Sequence, residues 1–108
     1  MNPAAPPPRK LGVLLASAPH RPNYAHALRL AEAAVARGLA VYLYLLDDAV
    51  PGIDDARVQA LRSRGLHLFA CAFGARKRNL VTDERATWVG LATASDLIAA
   101  TDRFVSFN

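Results

Sequence analysis

The strongest constraint on the fold of this chain is an alternation between two kinds of segment. Unbroken apolar runs of strand length recur along the sequence, and stretches of helical period separate them. The first run, Leu11-Gly12-Val13-Leu14-Leu15-Ala16, follows Lys10 and closes at Ser17 without any apolar–polar alternation. A strand with one wet face alternates, whereas a strand covered on both faces of a parallel sheet is apolar throughout. Residues 40–46 and 66–70 repeat the continuous pattern, and residues 103–107 close the series.

The intervening segments read as helices. Over 24–37, Tyr24, Ala27, Leu28, Ala31, Ala34 and Val35 line one face, with His26, Arg29, Glu32 and Arg37 towards the other. Asn23 is placed to cap this helix and Gly38 to stop it. After a loop over 47–52, Asp54 is the expected N-cap of a second helix, with Ile53 stapled onto Val58 and Gly65 at its end. A short helix is expected over 72–80. Thr87-Trp88-Val89 can form a short strand, and Thr93-x-x-Asp96 resembles a capping box opening a helix through Ala100. Strand–helix alternation of this kind predicts a mostly parallel sheet of about five strands with helices on both faces, joined by right-handed crossovers. Residues 10–108 are expected to form one α/β domain behind a disordered, proline-rich tail over 1–9, where Pro3, Pro6, Pro7 and Pro8 exclude helix and ladder.

Composition narrows the function classes. With 108 residues and a hydrophobic fraction of 53%, the chain can bury a core without covalent staples. Its one cysteine cannot close an internal disulfide, so a disulfide-built secreted scaffold finds no support and a cytoplasmic location is expected. Arg9-Lys10 ahead of residues 11–18 imitates a signal peptide, but cleavage there would remove the first buried strand. No apolar run approaches the ~20 residues that span a bilayer, so no membrane association is expected. The net charge of +4 can attract anions. The basic residues are scattered apart from Arg76-Lys77-Arg78, and no aromatic RNA-binding signature accompanies them, which argues against nucleic acid as a partner.

The chemistry concentrates at Cys71. An apolar strand delivers this thiol to the start of a short helix, where the backbone N–H groups of Phe73 and Gly74 would face it and Arg76, Lys77 and Arg78 follow. Helix N-termini and neighbouring cations favour the thiolate, the reactive form of cysteine. The opposing reading is a small buried core residue, which free cysteines often are. In open parallel sheets ligands collect beyond the carboxyl ends of the strands, and residues 18–23 and 47–52 meet Cys71 at that edge. His20, with Arg21, could there orient an anion or support Cys71. Asp47 and Asp48 read better as a solvated loop pair than as an acid–base pair. His20, His26 and His67 have no metal-ligand spacing, and no glycine-rich phosphate fingerprint follows the first strand, so neither metal nor cofactor is expected.

Two thiol chemistries fit poorly. A thioredoxin-type motif needs a second cysteine. A cysteine-phosphatase cradle needs an arginine six residues past the thiol, where Lys77 stands here; lysine lacks the fork that grips phosphate. A phosphatase-like enzyme stays open as an alternative, as does a noncatalytic oligomeric α/β subunit that binds a small anion at the strand edge.

Taken in order, the segments resemble the DsrE/TusD-type (DsrE/DsrF/DsrH) sulfur-relay family. The matching pieces are Ser17-Ala18-Pro19 after the first strand, Ala27-Leu28-Arg29-Leu30-Ala31 with Arg37-Gly38, and a second strand running into an acidic loop. Cys71-x-x-x-Ala75-x-x-Arg78 is similar to the family's cysteine motif, and Gly90-Leu91 through Asp96-Leu97, then residues 100–107, to its C-terminal signature. Asn79 stands where the family usually has glycine. The resemblance implies a flavodoxin-like three-layer sandwich and a sulfur carrier or sulfurtransferase subunit that takes sulfane sulfur as a persulfide on Cys71. In that reading Phe73, Gly74, Arg76 and Arg78 stabilise the anion and His20 supports it. It further implies assembly as a homo-oligomer (trimer or hexamer) or a hetero-oligomer with related subunits, served by sulfur donor and acceptor proteins.

Overall fold

A computed structural model describes residues 6–108. Strands β1 (Lys10–Leu15), β2 (Ala40–Leu45), β3 (His67–Cys71), β4 (Thr87–Val89) and β5 (Arg103–Phe107) form one sheet in the order β4-β3-β2-β1-β5. Every neighbouring pair is parallel. Helices α1 (Pro22–Ala36), α2 (Ala56–Ser63), α3 (Ala72–Lys77) and α4 (Ala92–Ala100) connect the strands, and a 3-10 segment, Asp47–Asp54, precedes α2. The expected loop over 47–52 is therefore helical. The first part of the expected tail, residues 1–5, lies outside the described residues; residues 6–9 are exposed and adopt no regular structure.

Side chains alternate across the sheet, so each strand feeds two cores. On one face Val13 and Leu15, Val41, Leu43 and Leu45, and Leu68 and Ala70 pack with Tyr24, Ala27, Leu28, Ala31 and Ala34 of α1 and Val58 and Leu61 of α2. On the other face Leu14, Tyr42 and Tyr44, Phe69 and Cys71, Val89 and Phe104 meet Ala75 of α3 and Ala94 and Leu97 of α4. This is a flavodoxin-like α/β sandwich with an unequal pair of outer layers. The first face carries two helices over the sheet centre, while Tyr42 and Phe69 on the second face are only partly covered. Among the described residues no helix is long and apolar enough to cross a membrane.

Several helix starts differ from the sequence expectation, each for a local reason. Arg21, not Asn23, is the N-cap of α1. Pro22 sits in the first turn, where its fixed φ is pre-organised and its missing N–H costs nothing, and it forces Arg21 into extended backbone. Asn23 instead donates from Nδ2 to the Asn108 carbonyl at 2.9 Å. Asp55, not Asp54, caps α2, because the 3-10 segment runs through Asp54. Ile53 and Val58 are both fully buried in the same core, but with the cap at Asp55 they no longer stand at the N′ and N4 positions of a staple. The capping box at Thr93 does not form: α4 begins at Ala92, and Thr93 and Ala94 donate backbone N–H bonds to Gly90 and Leu91. Gly38 and Gly65 end α1 and α2 with φ of +81° and +105°, the left-handed geometry that glycine tolerates. The third helix stops at Lys77, short of residue 80, and Asn79 takes φ +55°. Asparagine is one of the few residues besides glycine that visit this region readily.

Candidate functional site

Cys71 is the last residue of β3 and the N-cap of α3. Strand β3 ends here because Ala72 and its successors turn into helix, and the ladder to β4 ends with the pair Cys71–Val89. The cysteine backbone is extended (φ −72°, ψ 116°), which aims its side chain back at the first turn, where Sγ accepts the Gly74 N–H at 3.4 Å. Of the two amides expected to face the thiol, only that of Gly74 does so. The Phe73 ring points to solvent, 64% exposed.

The thiol is enclosed, with Cys71 only 3% exposed. Tyr44 from β2, Val50 from the 3-10 segment, Ala75 from α3 and Leu97 from α4 share its cluster. The fit between α3 and the 3-10 segment is close: a Cβ on Gly74 would lie 3.1 Å from Val50 Cγ2. The Tyr44 hydroxyl donates to the Gly90 carbonyl at 2.9 Å. Burial pushes the Tyr44 phenol up to about 12, and the adjacent Cys71 sulfur adds to the shift. Tyr44 thus remains a protonated hydroxyl beside the thiol at neutral pH. It was not legible as a site residue, although Tyr42 and Tyr44 share one face of β2 as Phe69 and Cys71 share one face of β3.

The cations are arranged differently from the expectation. Arg78 donates from Nη1 to the Gly74 carbonyl at 3.2 Å and from Nη2 to Asp48 Oδ1 at 2.8 Å. It is a strut between α3 and the 3-10 segment, and its guanidinium is committed to a carboxylate and a carbonyl. Arg76 and Lys77 are exposed. A phosphatase-type cradle therefore gains no arginine fork here. Asp48, read as a solvated loop residue, is the other half of the strut, and its side chain remains 71% exposed.

His20 is not part of this cluster. It lines a separate cleft of about 470 Å³ beyond the carboxyl end of β1, with Ser17, Arg21, Asn23, Asp48 and Asn108 among its walls. His67 is exposed and stacks on Tyr42 with ring centroids 4.6 Å apart. Among the described residues no group of three or more His, Cys, Asp or Glu is placed to hold a metal ion.

No protein-family model and no curated protein sequence matches the chain. Solved structures do. The crystal structure of the ychN protein from E. coli superposes with a TM-score of 0.78 at 18% identity, over 92% of this chain and 99% of that one. A conserved protein of unknown function from Bacteroides thetaiotaomicron gives a TM-score of 0.76 at 14% identity, over 90% of this chain and 93% of that one. At these identities the likeness is one of fold.

Proposed function

We propose that this protein is a sulfur carrier or sulfurtransferase subunit with Cys71 as the acceptor thiol. The observation that carries the reading is the position of that thiol, alone in the sequence, at a strand-to-helix junction with its sulfur on the Gly74 amide. The sequence resemblance to the DsrE/TusD-type family points the same way. In the first step the Cys71 thiolate attacks the outer sulfur of a donor persulfide. A new S–S bond forms on Cys71, the donor's S–S bond breaks, and the donor leaves as a thiolate. An acceptor thiolate then attacks the outer sulfur and releases Cys71 as the leaving thiolate, so no external oxidant or reductant is consumed. The Gly74 N–H donates to the sulfur, and Tyr44 packs in the same cluster. The absence of a second cysteine prevents collapse into an internal disulfide. Transfer requires the thiol to be uncovered, and the elements packed around it include the short helix α3, through Ala75, and the 3-10 segment, through Val50.

A second reading, a noncatalytic subunit that works through oligomer contacts, is favoured by the 3% exposure of Cys71. Intact-protein mass spectrometry after treatment with a persulfide donor separates the two. A gain of one sulfur atom by the native protein, absent in Cys71→Ser, supports the carrier. A Cys71 that reacts with neither persulfide nor a small alkylating agent until the protein is denatured supports the subunit and overturns the carrier.

A further inference from the structure

The cleft at His20 lies where the topology opens the sheet. From β1 the chain crosses to β2 and on to β4 in one direction, whereas β5 is added on the opposite side of β1. Crevices at such switch points, beyond the carboxyl ends of the strands, are where parallel sheets take ligands. The cleft is lined by residues 16–18 and 20–23 and by Asn108, just past β5.

Its inner wall is built for an acceptor-rich ligand. Ser17 is 6% exposed, and its hydroxyl has no hydrogen-bond partner among the described residues. Buried hydroxyls are almost always paired, so this one calls for an explanation. The backbone amides of Ser17, Ala18 and His20 likewise donate to no backbone acceptor among the described residues. The 15-residue helix α1 starts at the cleft with no side-chain cap and no acidic residue in its first turn, leaving its positive end uncompensated. Arg21 and His20 add donors at the rim. Two acceptors also line it. The Asn108 carbonyl is occupied by Asn23 Nδ2, and the Asp48 carboxylate is bonded by Arg78.

We propose that this cleft binds a tetrahedral oxyanion, held by Ser17, Arg21 and the backbone amides of Ser17, Ala18 and His20. The recognised group is either a free phosphate or the terminal phosphate of a small ligand. The inference does not depend on sulfur transfer, since Cys71 is absent from the cleft walls.

The test is a ¹⁵N-NMR titration of the full chain with inorganic phosphate and, separately, with glycerol phosphate, at ionic strength held constant with chloride. Saturable shifts centred on the amides of Ser17, Ala18 and His20 are expected. Arg21→Ala should weaken binding by about tenfold, the scale of one lost charged hydrogen bond. Ser17→Ala should also weaken binding while raising the melting temperature of the free protein, because it deletes an unpartnered buried hydroxyl. A purely structural serine would show no such opposition. Cys71→Ser should bind like the parent, so failure here and failure of the sulfur-carrier reading are separate results. Binding of both probes assigns the site to a terminal phosphate, and binding of inorganic phosphate alone assigns it to the free ion. Shifts no larger than those from chloride, or unaltered affinity in both variants, overturn the proposal.

Discussion

Replacing Asp55 by alanine removes one carboxylate that serves two helices at once. Oδ1 accepts the Arg57 backbone N–H at 2.9 Å and caps α2, while Oδ2 accepts the Tyr24 hydroxyl of α1 at 2.9 Å. Arg57 adds side-chain bonds at 3.2 and 2.9 Å and lies over the Tyr24 ring, 5.6 Å from its centroid. Losing an N-cap costs about 1 kcal/mol. Orphaning a buried phenol costs about 1–3 kcal/mol, and Tyr24 is fully buried. The Arg57 pair adds little, since that side chain is 58% exposed and such pairs contribute ~0–1 kcal/mol. The expected sum is about 2–4 kcal/mol, or a fall in Tm of roughly 10–25 °C for a domain of this size. Thermal unfolding followed by circular dichroism reads it directly. In a Tyr24→Phe background no phenol is left to orphan, so Asp55→Ala should cost about 1–3 kcal/mol less there. Equal losses in both backgrounds, or a fall below about 4 °C in the parent, would refute the reasoning. The effect carries a pH signature. Hydrogen bonds from Arg57 hold the Asp55 carboxyl below its usual range against the opposing effect of burial, with Tyr24 contributing less. A depressed folded-state pKa means that the stabilisation is complete above the unfolded value of about 3.9 and is lost as pH falls through the folded value. The gap between parent and Asp55→Ala should therefore be full at neutral pH and close in acid.

Two further substitutions probe the packing around the sites. Tyr44→Phe removes the bond to the Gly90 carbonyl; because Gly90 is exposed and its carbonyl can turn to water, the cost should be about 1 kcal/mol or less. The same variant should speed alkylation of native Cys71 by releasing the segment at Gly90 and Leu91, and an unchanged rate would show that this segment does not cover the thiol. Gly52→Ala places a Cβ 2.5 Å from the Tyr24 hydroxyl, so it must push Tyr24 off Asp55 at about 1–3 kcal/mol. Its Tm should fall in the parent and fall less in Tyr24→Phe, and no fall at all would contradict the close approach.

Local pattern alone determined the strands, the faces of α1 and the place of Cys71. A strand buried on both faces must be apolar throughout, as residues 11–16 and 40–45 are, and a thiol ending one such run before a helical segment must lie at the carboxyl edge. Helix starts were less legible, because two candidate caps competed within a residue or two: Pro22 displaced Asn23, and the 3-10 segment displaced Asp54 in favour of Asp55. What surrounds Cys71 came only from tertiary structure. Tyr44 arrives from β2, Val50 from the 3-10 segment and Leu97 from α4, and long-range packing, not nearby sequence, brings them around one sulfur. Arg78 looked like a charge for the thiol until the fold supplied Asp48, whose carboxylate takes its guanidinium at 2.8 Å. The position of β5 beside β1 was also beyond local pattern, since any exposed strand edge offers the same backbone donors and acceptors. That non-local choice places Asn108 against α1 and creates the cleft in which the Ser17 hydroxyl finds no partner among the described residues.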